Sequence, residues 1–213
     1  YNADRPTLEK KLKIPMRLEE NDELVGYYSR LVHNIRLIVI DTYDIAILQR
    51  DSKTSQKRKQ ADQRTTENFE NGNQSSPDGL HGLQRRFVGF GGAVGERQLA
   101  WIRQELQNAR ENSERVIVLS HQPIHPDTAH AVCIVWNYQE ILELLQGYQD
   151  VVVASFAGHA HGYGYTQEFG IHFRVLEAIL ESPKPHNTFA ILDVYDSKIA
   201  LRGFGECQNA VYE

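Results

Sequence analysis

The 213-residue chain is short of several features that would place it in a class at once. It has two cysteines, Cys133 and Cys207, too few for a disulfide framework. Cys133 lies in an apolar stretch and reads as a core residue, and this sparse usage suits a reducing, cytoplasmic setting. No apolar run approaches the ~18 residues that a membrane span requires. The first residues, Tyr1 to Lys13, are polar and charged, unlike a secretory signal. Positive charge is not in excess: 23 Lys and Arg against 28 Asp and Glu leave a net charge of −5, which argues against a nucleic-acid partner. No internal repeat is visible. An initiator Met is also missing, and the opening Tyr1-Asn2-Ala3-Asp4 reads as the start of a segment from a longer protein. The rest is ordinary, with 41% hydrophobic and 24% charged residues, and predicts one globular domain over 1–213.

Strand and helix signals alternate through the first two thirds. The sequence predicts a short helix near Thr7–Lys13, a strand beginning at Tyr27-Tyr28-Ser29, and a strong β-branched strand at Ile35–Ile40 that ends on Asp41. Residues 51–80 hold Lys, Arg, Gln, Asn, Ser and Asp with almost no apolar anchors, and read as a flexible polar surface insertion with one short helix. The Lys53–Lys59 run within it reads as solvated surface, with contact to an anion as the alternative. Gly89–Gly95 is a glycine-rich turn. It leads into a helix in which Leu99, Trp101, Ile102, Leu106 and Ala109 recur at helical spacing. A strand at 115–120, a helix from Trp136 to Gln146 stopped by Gly147, and a strand at 151–157 follow. The stretches Gly170–Leu176, Thr188–Val194 and Lys198–Gly203 are short strands, the last two joined by an Asp196-Ser197 hairpin. Strand–helix–strand units followed by a run of strands predict a layered α/β sandwich rather than one doubly wound sheet.

Three histidines stand out. Gly158-His159-Ala160-His161 follows the apolar run Val151–Ala157, and His121 follows Val116–Ser120. Both placements deliver imidazoles to the carboxyl ends of strands, where open α/β sheets bind ligands. Neutral imidazole is a common ligand for borderline divalent ions. Two such ions about 3.5–4 Å apart clamp a phosphate and lower the pKa of a bridging water. Histidines alone leave a charge of about +4 uncompensated, so carboxylates are expected as companions. Asp-x-His, Gly-Asp on a strand end and Gly-Asn-His are all absent. Asp41 and Asp44 have no accompanying histidine, and Asp41 is assigned a structural or substrate-side role. Of the remaining histidines, His125 sits in His121-Gln122-Pro123-Ile124-His125-Pro126-Asp127 and faces substrate or braces that Pro-rich turn. Tyr43 is a stacking candidate, and the Gly91-Gly92 turn offers backbone N–H groups to phosphate or is a simple tight turn.

The chain resembles the carboxyl-terminal part of a calcineurin-like metallophosphoesterase, and more specifically the manganese-dependent ADP-ribose/CDP-alcohol diphosphatases. The resemblance is carried by Leu37–Asp44, Gly91–Trp101, Ser120–Ala129, Ala157–Tyr165 and Trp136-Asn137-Tyr138. It implies an α/β/β/α sandwich with its amino-terminal part missing. It implies that His121 and His159 bind one ion and His161 the other. Asp-x-His, Gly-Asp and Gly-Asn-His would precede Tyr1, the last supplying the histidine that protonates the leaving group. Tyr43, Gly91, Gly92, His125 and Asn137 become candidate substrate residues. Ala160 replaces an acidic residue often found between the two histidines, and His130-Ala131 stands where Asp-Pro is common.

The implied reaction is hydrolysis of a phosphoanhydride in ADP-ribose or a CDP-alcohol, giving a nucleoside monophosphate. Mn²⁺ is the expected metal, with Zn²⁺, Fe or Mg²⁺ as alternatives, and the partner is a small nucleotide. The 213-residue chain alone is expected to show little activity beside a longer form. Two rival readings stand beside this one. The first is a non-catalytic module that binds a nucleotide or one ion. The second is a hydrolase with a single Zn²⁺ held by His121, His159 and His161.

Overall fold

The computed structural model describes residues 5–13, 15–18, 24–48, 55–68 and 73–213. In chain order the elements are α1 (Arg5–Leu12), β1 (Arg17–Leu18), β2 (Leu24–Val25), β3 (Tyr28–Val32), β4 (Ile35–Ile40), β5 (Ile45–Ala46) and α2 (Gln56–Asn68). Then come β6 (Gly92–Ala93), α3 (Glu96–Glu111), β7 (Arg115–Ser120), α4 (Tyr138–Gln146), β8 (Val152–Ala157) and β9 (Gly164–Glu168). The chain closes with β10 (Ile171–Val175), β11 (Phe189–Val194), β12 (Ile199–Phe204) and β13 (Ala210–Tyr212).

A six-stranded sheet in the order β3-β4-β7-β8-β10-β9 forms the centre. β4, β7, β8 and β10 run parallel, while the edge strands β3 and β9 are antiparallel to their neighbours. A parallel strand buried on both faces needs apolar residues on both, and β7 supplies them. Val116 and Val118 pack with Ile102 and Leu106 of α3 and with Ile141 and Leu145 of α4. Ile117 and Leu119 turn to the opposite face, against Ile199, Leu201 and Tyr212 of the three-stranded sheet β11-β12-β13. The period-two alternation of one strand thereby feeds two cores. The layers are helix, sheet and sheet, in keeping with the expected sandwich.

α3 buries Gln98, Ile102, Leu106 and Ala109, one stripe at helical spacing. Its cap residue Gly95 has no side chain to offer the amino terminus. The buried carboxylate of Asp44 serves instead: Oδ2 accepts from Gly95 N at 3.1 Å and from Gln98 Nε2 at 3.2 Å. A carboxylate there satisfies orphan donors and suits the helix dipole.

The insertion differs from the expectation of a stretch with nothing to bury. Residues 51–54 and 69–72 lie outside the described residues. Between them α2 is a thirteen-residue helix in which Ala61 and Thr65 are fully buried. Ala61 packs with Ile45, Ala93 and Trp136. Arg58 donates to the Ile47 carbonyl at 2.8 Å, and Lys57 pairs with Asp44 at 2.8 Å. Two small side chains four residues apart are enough to seat the helix, and polar contacts do the rest. β9 and β13 carry no strong sequence signal either. β9 is a largely exposed edge strand of polar residues, and β13 spans three residues.

Candidate metal centre

The carboxyl ends of β4, β7, β8 and β10 share one rim, because these strands are parallel neighbours. Asp41, His121, the loop Gly158–His161 and Leu176 follow them in turn. A backbone bond from Gly158 N to the His121 carbonyl at 3.0 Å ties the two histidine loops together. The result is that Nδ1 of His159 lies 3.1 Å from Nε2 of His121, with ring centroids 4.9 Å apart.

The loop reaches this geometry at a cost in backbone conformation. His159 has φ 64° and His161 has φ 63°, both left-handed, a region that non-glycine residues seldom enter. Ala160 N donates to the Gly158 carbonyl at 2.7 Å, so His159 is the centre of a γ-turn of the strained, positive-φ kind. Such conformations persist where surroundings over-determine them, and they cluster at functional sites. These two left-handed residues bend the chain that follows β8, and the His159 ring meets that of His121.

His159 is partly buried. Burial first, and then the neighbouring His121 and His161 rings, hold its pKa down to about 4. The ring is therefore neutral near pH 7, the form that binds metal. Its Nε2 is buried and has no hydrogen-bond partner among the described residues. Buried polar atoms are nearly always paired, so this one calls for an explanation. The nitrogen that meets His121 is Nδ1, at 3.1 Å, and Nε2 on the other side of the ring is the one left open. The donor set fits a borderline divalent ion.

His161 stands apart from this pair in its contacts. Its ring is half exposed, and Nδ1 lies 2.9 Å from Glu181 Oε1. Among the described residues no group of three His, Cys, Asp or Glu is placed to hold an ion. The arrangement of three histidines around one zinc therefore has no support here.

Tyr43 does join the histidines. Its hydroxyl is 3.5 Å from His159 Nδ1 and its ring centroid 5.8 Å from that of His121. Beside it a cleft of about 450 Å³ is lined by Arg5, Asp41, Tyr43, Ser120 and His121, among others. Asp41 is structural, pairing with buried Arg5 and accepting from Tyr43 N at 3.0 Å.

The other substrate candidates have their polar groups engaged elsewhere. His125 is buried; Nδ1 accepts from Asp127 N at 3.2 Å and Nε2 lies 2.9 Å from Glu168. The ring braces its own turn, with no nitrogen to spare. Asn137 is buried too. Its Oδ1 accepts from Val94 N at 3.0 Å, and its Nδ2 donates to the Val94 carbonyl at 2.9 Å and to Glu140 at 3.2 Å. It locks the glycine turn onto α4. Gly91 N donates to the Val88 carbonyl, and Gly92 pairs with Ala46. A Cβ on Gly92 would sit 2.4 Å from the Thr42 carbonyl. The turn is a packing device, and these residues do not converge on the histidines.

Three residues escaped the sequence reading. The exposed Phe90 ring lies 6.3 Å from that of His159. Gln122, next to His121, is fully buried, with neither end of its amide partnered among the described residues. Glu181 reaches His161 from twenty residues away. Only Gln122 had a local signal, its position beside a candidate ligand.

No protein-family model matches the chain. A manganese-dependent ADP-ribose/CDP-alcohol diphosphatase of Arabidopsis thaliana is 36% identical over 217 residues, covering 100% of this chain and 67% of that protein. Proteins of the same description from Xenopus tropicalis and Homo sapiens are 37% and 32% identical. They cover 88% and 90% of this chain and 54% and 55% of their own lengths. The chain thus spans about half to two thirds of these relatives. Among solved structures, a dimetal phosphatase from Danio rerio superposes with a TM-score of 0.90 at 28% identity, over 100% of this chain and 68% of that one. Sequence, fold and the histidine rim agree: the chain belongs to the family of the manganese-dependent ADP-ribose/CDP-alcohol diphosphatases.

Proposed function

We propose that the protein hydrolyses the phosphoanhydride of nucleoside diphosphate-linked compounds such as ADP-ribose or a CDP-alcohol, with Mn²⁺ as cofactor. The observation that supports this best is the His121–His159 pair at the carboxyl ends of adjacent parallel strands, with the His159 ring neutral and its buried Nε2 unpartnered among the described residues. His121 and His159 would hold one ion and His161 would contribute to the second. Divalent ions bound there would supply Lewis-acid polarisation of the phosphoryl oxygens and activation of water. The chain's own residues do the rest. The γ-turn at His159 fixes the ring direction, the bond from Gly158 to His121 holds the two loops in register, and Tyr43 closes the near side of the pair.

The test is Mn²⁺-dependent release of nucleoside monophosphate from ADP-ribose and from a CDP-alcohol by the full-length protein. The reading expects both the metal dependence and its loss in His159→Ala and in His121→Ala. Turnover retained in both variants would reject it.

A further inference from the structure

The histidine loop is gripped by a segment that nothing above assigns to the site. β10 ends beside β8, and the chain that leaves it, residues 176–181, continues alongside the loop in the same direction. Leu176 N donates to the Ala157 carbonyl at 2.8 Å, and Ala178 N donates to the His161 carbonyl at 3.0 Å. Three residues later Glu181 Oε1 meets His161 Nδ1 at 2.9 Å. One short segment therefore holds the same histidine twice, by its backbone and by its ring.

The segment is anchored inside the protein. Arg174, fully buried on β10, donates from Nη2 to both oxygens of Glu177 at 3.0 and 2.7 Å. Its guanidinium stacks 4.0 Å beneath the ring of Tyr163, which follows the histidines directly. Glu177 also accepts from Gln208 N at 3.3 Å, binding the segment to the turn before β13. A carboxylate between Leu176 and Ala178, held through both oxygens by a buried arginine, sets the path of the segment that carries Glu181 outward.

We infer that residues 176–181 form a strap whose purpose is to orient His161, with Glu181 as its positioning residue. Imidazole has two tautomers, and the group that accepts from one nitrogen decides which is present. A carboxylate accepting from Nδ1–H leaves the lone pair on Nε2, the arrangement that outer carboxylates impose on metal-bound histidines. His161 has a left-handed φ and its ring meets Glu181, so a constrained backbone and a carboxylate both bear on this residue. This inference rests on reading His161 as a metal ligand, but its first test needs no metal.

Nitrogen-15 NMR of the full chain at pH 8, without metal, reports the tautomer directly. The strap predicts His161 as Nδ1–H in the parent. In Glu181→Ala it predicts a shift toward the Nε2–H form that free imidazole side chains favour, with partial rescue in Glu181→Gln, whose amide oxygen still accepts. Mn²⁺ titration followed by electron paramagnetic resonance should then show binding about 10-fold or more weaker in Glu181→Ala. An Nε2–H tautomer in the parent, or an unchanged tautomer in Glu181→Ala, overturns the strap. Unchanged Mn²⁺ binding in His161→Ala, or no binding by the parent, overturns the ligand reading, and the strap then stands or falls on the tautomer alone.

Discussion

Two loop systems of this molecule carried candidate polar residues, and they differ in what the fold does with them. Around Gly91–Gly95 the substrate candidates have their polar groups paired, although Trp136 Nε1, against Gly91, is buried without a partner among the described residues. Asn137 serves both backbone groups of Val94 and Gly95 N meets Asp44; in the separate turn after His121, both nitrogens of His125 are likewise engaged. At the histidine rim the reverse holds. His159 keeps a buried nitrogen without a partner among the described residues, in a backbone conformation that carries strain. What marks the rim is an open ring nitrogen together with backbone strain and a second imidazole beside it, a combination that the glycine turn lacks.

The largest expected effect falls on activity at the open rim. His159→Ala should lower turnover of the full-length protein at least about 100-fold, beyond what outer contacts to a ligand provide. Its stability in urea should change by no more than about 1 kcal/mol, since an unpartnered buried nitrogen is removed with the ring. A large loss of stability there would erase the contrast.

The saturated side should behave oppositely. Asn137→Ala strands the N–H and carbonyl of Val94 and should cost about 3 kcal/mol in urea unfolding, with activity per folded molecule kept. Gly92→Ala, which drives a Cβ to 2.4 Å from the Thr42 carbonyl, should cost about 2 kcal/mol by overpacking, again without a specific loss of turnover. A fall in turnover without destabilisation, in either variant, would move this turn into the site.

A smaller effect concerns acid stability. Burial would raise the Glu177 carboxyl, but the hydrogen bond from Arg174, a backbone hydrogen bond and the charge of Arg174 hold it below its ordinary value. The folded state therefore favours the ionised form. That share of stability is present above the ordinary carboxylate range and is lost as pH falls through the lowered value. Urea midpoints measured from pH 7 to about pH 3 should fall less steeply in Glu177→Gln than in the parent. Equal slopes would show that the pair does not anchor the strap.

Much of this was legible in the sequence, for physical reasons. The runs at Ile35–Ile40, Val116–Ser120 and Val151–Ala157 are apolar on both faces because their strands lie between two layers. A histidine just past such a run has one rim to occupy. What sequence could not show is side-chain saturation. Asn137 beside a candidate motif looks like a substrate residue until Val94 is found against it. Nor does a pattern reveal that α2 seats itself through Ala61 and Thr65, since a two-residue face in a charged stretch gives almost no periodic signal. Glu181 was invisible because only the parallel pairing of β8 with β10 brings it to His161.

Crystals of the full-length protein grown with Mn²⁺ and measured at the manganese absorption edge would test the central claim most directly. The account predicts an anomalous peak bonded to ring nitrogens of both His121 and His159. A manganese peak elsewhere, with these two rings still in direct 3.1 Å contact, would contradict it.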